Sequence, residues 1–83
     1  MISVTINNQP YLDNSLNTYV VDTTNRDEAI CAAIDDYIID TNCTRVIRSI
    51  VCNGTLLSQQ ETEAKILEVA PQKYWNTVKS LHL

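Results

Sequence analysis

The chain uses two hydrophobic periods. Ile2, Val4 and Ile6 alternate with Ser3, Thr5 and Asn7, the two-residue repeat of a strand that buries one face. From Asn25 onward, stretches appear in which apolar residues recur three and four positions apart, a spacing that a helix gathers on one side. A chain that uses both periods within 83 residues has room for one core, so residues 1–83 are read as a single small domain in which helices pack on a sheet.

After the first strand, Asn7, Asn8 and Pro10 favour a turn, and Gln9 to Asn17 reads as a loop or a short ragged strand around Tyr11 and Leu12. Tyr19, Val20 and Val21 form a second β-branched run that pairs with the first as an antiparallel hairpin. A helix is expected over 26–39. Asn25 followed by Glu28 has the spacing of a capping box, and Asp27 lies in the first turn, where the helix dipole favours a carboxylate. On that helix Ile30, Ala33, Ile34, Tyr37 and Ile38 share one arc, while Glu28, Ala32, Asp35 and Asp36 occupy the other.

Residues 44–57 support two readings. Val46, Ile47, Ile50 and Val51 fit a helical stripe, with Gly54 as a left-handed cap, which would make the chain mostly α with an N-terminal hairpin. Their β-branching and the Asn53-Gly54 pair favour instead strands around residues 45–57 joined by a tight turn. A second capping box, Ser58 with Glu61, opens a helix over 59–70 in which Ala64, Ile66, Leu67 and Ala70 can face inward. Pro71 then punctuates the chain before a last helix over 72–81, where Tyr74, Trp75, Val78 and Leu81 recur at helical spacing and Trp75 is expected to close the core. The fold class is α+β: a small antiparallel sheet packed by three helices.

Charge is distributed unevenly. Ten carboxylates face six Lys and Arg side chains, for a net charge of −4. Asp13, Asp22, Asp27, Glu28, Asp35, Asp36 and Asp40 lie in the first forty residues with Arg26 as the sole base, whereas Glu61, Glu63 and Glu68 are outnumbered by Arg45, Arg48, Lys65, Lys73 and Lys79. A one-signed field on a small body steers encounter with basic partners and repels phosphate.

Several chemistries lack their residues. The one histidine, His82, is penultimate, where a catalytic base is hard to hold in place. Asp35-Asp36 and Asp36-Asp40 read as a solvated face rather than as an acid/base pair, so no catalytic residue is assigned. Cys31, Cys43 and Cys52 have neither zinc-site spacing nor an even count, and read as reduced, buried or half-buried small hydrophobes. A single glycine cannot build a phosphate-cradling loop, and no calcium-loop motif occurs, so no cofactor or metal is expected. A pI near 4.6 argues against direct nucleic-acid binding, and Arg45 and Arg48, if on one strand, would point to opposite faces. No apolar run approaches a membrane span and the first residues lack a secretory pattern, so a soluble, cytoplasmic chain is the expectation.

The expectation is a non-enzymatic interaction module. Glu28, Asp35, Asp36 and Asp40 would form the partner-binding residues, docking on a basic protein surface, a nucleic-acid-binding one included, and so blocking or modulating it. In kind, though in no shared motif, such a chain resembles accessory proteins of phages and other mobile elements, anti-CRISPR inhibitors among them; the host cytoplasm would then be its place of action. The alternative is an assembly subunit that self-associates or joins a larger complex through an edge strand or apolar face.

Overall fold

A computed structural model describes residues 1–8 and 17–82, with side chains described as far as Lys79. The elements in chain order are β1 (Ile2–Asn7), β2 (Thr18–Val21), α1 (Arg26–Asp40), β3 (Ser49–Cys52), β4 (Thr55–Leu56), α2 (Gln59–Val69) and α3 (Gln72–His82). The expected loop or ragged strand around Tyr11 and Leu12 lies outside the described residues, as does Asp13. The strands form one antiparallel sheet in the order β2-β1-β3-β4. The α+β architecture read from the two hydrophobic periods is the one observed.

The register explains the core. Val4 lies opposite Tyr19 on one side and Cys52 on the other, and Ile6 lies opposite Ile50. Side chains alternate along a strand, so Ile2, Val4, Ile6, Tyr19, Val21, Ile50 and Cys52 share one sheet face. Helix α1 covers that face with Ala29, Ile30, Ala33, Ile34, Tyr37 and Ile38, all buried. Thr5, Asn7, Ser49 and Val51, on the opposite face, are also closed to solvent. Among the described residues the Asn7 Nδ2 is a buried donor without a partner.

Local chemistry sets the helix ends. The Asn25 Oδ1 accepts the Glu28 amide at 3.0 Å, and the Asn25 amide donates to the Thr23 Oγ1 at 3.1 Å. The capping box is therefore half used, since Thr23 takes the place expected of the Glu28 carboxylate. At the other end the Asn42 amide donates to Ile39 O and the Cys43 amide to Ile38 O, the paired bonds of a Schellman ending. Asn42 and Cys43 accordingly have positive φ of 53° and 60°, and Cys43 turns into the core beside Ile38.

Residues 45–57 resolve into the hairpin reading with a later start. The strand begins at Ser49, and the chain from Thr41 to Arg48 is turn and irregular structure. Asn53 and Gly54 both have positive φ, 47° and 83°, the primed turn that matches strand twist. Arg45 and Arg48 therefore lie before the strand, and both border the same shallow surface depression, so the expectation that they share a strand and oppose each other is corrected.

The C-terminal helices also differ in detail from expectation. On α2 the buried residues are Thr62 and Ile66, whereas Ala64 is exposed and Leu67 is 69% exposed. On α3 the innermost side chain is Tyr74, 1% exposed, and Trp75 is half-buried on its flank with the rings edge-to-face at 5.3 Å. The reason is polar. The irregular backbone before β3 leaves the Ile47 amide in the interior, and the Tyr74 hydroxyl accepts it at 3.0 Å. An indole N–H, a donor only, could not do this.

Candidate acidic interface on helix α1

Arg26 and Asp27, in the first turn of α1, are paired with α2. Arg26 makes two parallel hydrogen bonds to Glu61 of α2, Nη1 to Oε2 at 2.7 Å and Nη2 to Oε1 at 2.9 Å. Lys65, further along α2, reaches Asp27 at 3.1 Å and lies 3.7 Å from Glu68. The Arg26 guanidinium holds the Glu61 carboxyl below its ordinary range, and Asp27 raises the Lys65 ammonium. These contacts tie the helices together, and they consume Arg26, the only base of the acidic half. No sequence signal announced the pairing, because Arg26 and Glu61 are 35 positions apart.

The other acids of α1 have no such company. Glu28, Asp35 and Asp36 are exposed and make no side-chain hydrogen bond or ion pair among the described residues. Asp40 is exposed too, but stands at the flank toward β2, where its Oδ2 accepts the Tyr19 hydroxyl at 3.0 Å. Burial, then the bond to Asp40, raises the Tyr19 phenol well above its ordinary value, so it stays a donor. The fold thus brings Glu28, Asp35 and Asp36 onto the outward side and sets Asp40 at its margin.

Ile39 stands in the middle of that side. It is 66% exposed, and at 3.6 residues per turn it falls within about 40° of Glu28, Ala32 and Asp35 around the helix axis. The inward arc assigned from sequence left it out, although the spacing to Asp35 and Ala32 already placed it among the acids. The surface of α1 is therefore an aliphatic strip, Ala32 and Ile39, bordered by Glu28, Asp35 and Asp36.

This arrangement is unfavourable for the helix itself. Asp35, Asp36 and Asp40 occupy its C-terminal half and no basic residue lies in the last turn, so they face the negative end of the dipole. Asp36 and Asp40 are also like charges one turn apart.

Other reactive groups are placed quietly. Cys43 and Cys52 belong to the core, and burial pushes the half-buried Cys31 thiol up, away from the reactive thiolate. Among the described residues no three His, Cys, Asp or Glu side chains cluster to hold a metal, and no helix is long and apolar enough to cross a membrane. The chain matches no protein-family model, no curated protein and no solved structure.

Proposed function

We propose that the chain is a non-enzymatic interaction module whose α1 face docks on a basic protein surface bearing an apolar recess, and thereby blocks or modulates that surface. One observation carries the reading: Glu28, Asp35 and Asp36 stay unneutralised around an exposed Ile39, while the cations nearby are spent on Asp27 and Glu61. A face kept only for solubility gains from alternating signs. Here Asp35 and Asp36 sit at the unfavourable end of a helix, a cost that a binding role would offset.

The charges and the aliphatic strip divide the work. Unpaired carboxylates raise the encounter rate over about 10 Å at moderate salt. Desolvating Ile39 then slows dissociation, since burying one such side chain is worth roughly 1.5–3 kcal/mol. Where the partner surface binds nucleic acid, the acids would take the places of phosphates. An inhibitor of the kind carried by mobile elements would work this way.

The test compares baits. Wild-type chain, a Glu28→Lys/Asp35→Lys/Asp36→Lys variant and an Ile39→Ser variant are immobilised, and proteins retained from host lysate are identified, purified and titrated against each. The expected partner is basic, associates more slowly with the charge-reversed variant with a flattened salt dependence, and leaves Ile39→Ser roughly ten- to a hundredfold faster. Equal binding by wild type and the charge-reversed variant would refute the reading.

A further inference from the structure

A groove of about 420 Å³ lies between α2 and α3, and no residue of α1 lines it. Tyr74 and Ile47, joined by their hydrogen bond, are buried in the groove wall. Its apolar lining is incompletely covered. Leu67 is 69% exposed, and Trp75 and Val78 are half-buried.

One charge of each sign borders the groove. Glu63 borders the groove from α2 and Arg48 borders it from the segment before β3; neither makes an ion pair among the described residues. Helix α3 carries Lys73 and Lys79 and no acid, and both lysines are exposed. On α2, Glu61, Lys65 and Glu68 already belong to the network with α1, which leaves Glu63 as the acid at the groove.

We propose that the occupant of this groove is the α2-α3 region of a second copy of the chain, related by a two-fold axis. Such an interface presents the same patch twice, so it must be complementary to itself. An apolar floor bordered by the acid Glu63 on α2 and by the cation Arg48 on the segment before β3 meets that condition, because a two-fold rotation can set Glu63 of one copy against Arg48 of the other. The α1 face cannot do so, being of one sign. Nor do the sheet edges offer a better route, since β2 has four residues and β4 only two, and short edges recruit strands poorly. Packed face to face in this way, the α2 and α3 helices of the two copies cover Leu67, Trp75 and Val78.

Sedimentation equilibrium over a concentration series tests it, with the Trp75 emission read in parallel because Trp75 is the only indole in the chain. The expected result is a mass approaching two chains, accompanied by a blue shift as the indole is covered. Leu67→Glu, at a position already exposed in the single chain, should return the mass to one chain with an unchanged circular dichroism spectrum; Val78→Lys should do the same. A single-chain mass at every concentration would overturn the proposal, as would a dimer indifferent to both substitutions. Emission that shifts on adding an apolar amphiphile while the mass stays at one chain would also overturn it, assigning the groove to a small ligand. The Lys-substituted α1 variant should dimerise like the wild type, so the outcome is independent of the role proposed for α1.

Discussion

Gly54 is the last residue of a turn that requires two consecutive positive φ values, and it sits at 83° with nothing within 4 Å of where a Cβ would stand. Substitution there is opposed by backbone conformation alone. Gly54→Ala should therefore lower stability by about 1 kcal/mol, seen as a lower urea midpoint with an unchanged slope. Tyr74 matters for a different reason. Removing its hydroxyl leaves the buried Ile47 amide without an acceptor, and an orphaned buried donor costs about 1–3 kcal/mol. Tyr74→Phe should lose that much in the same measurement, although the ring is kept. Both residues could be picked out in the sequence, Gly54 as half of a hairpin pair and Tyr74 as part of a helical stripe. Only Gly54 could be given its role, because the partner of Tyr74 is set by an irregular segment 27 positions away.

At the scale of the element, α1 has two unlike halves. Its N-terminal turn is capped by Asn25 and stapled to α2 through Arg26 and Lys65, whereas its C-terminal half carries acids against its own dipole. Asp36→Lys should consequently raise the thermal midpoint, by the equivalent of some tenths to about 1 kcal/mol, since it removes the repulsion from Asp40 and places a cation near the helix end. Unchanged or lower stability would mean that the acids carry no local penalty, and the argument for a binding role would lose its support. The helix itself was legible from its cap signal and its inward arc. Its ending was less so, because a Schellman turn built on Asn42 and Cys43 lacks the glycine that usually marks one.

For the whole molecule, the tyrosines set the alkaline limit. Tyr37 and Tyr74 have phenols raised chiefly by burial, and Tyr19 is raised by burial and then by Asp40. In the unfolded chain the same groups ionise near the ordinary value of about 10. Below that pH both states hold the protons and the contribution to stability is complete. Above it the unfolded chain gives them up while the folded chain keeps them, so stability must fall with rising pH. Urea titrations across this range should show the midpoint declining from about pH 10 upward, with tyrosinate absorbance of the folded protein lagging behind that of the unfolded. A midpoint independent of pH through that range would contradict the burial of these rings.

By itself the sequence determined what short-range physics decides: the period of each element, the caps at Asn25 and Ser58, the Asn53-Gly54 turn and the excess of acid in the first half. Those are properties of residues within a few positions of one another, and they were enough for the α+β class and for the outward side of α1. Tertiary structure alone decided which charges remain available. Arg26 and Lys65 are drawn to Glu61 and Asp27 across the helix pair, so Asp27 is neutralised and Glu28, Asp35 and Asp36 are not. It also decided that Tyr74 rather than Trp75 goes to the interior, and that Leu67 is left at the surface beside an open groove. Pairings of that kind depend on which elements the fold sets side by side, and no spacing along a single strand or helix records them.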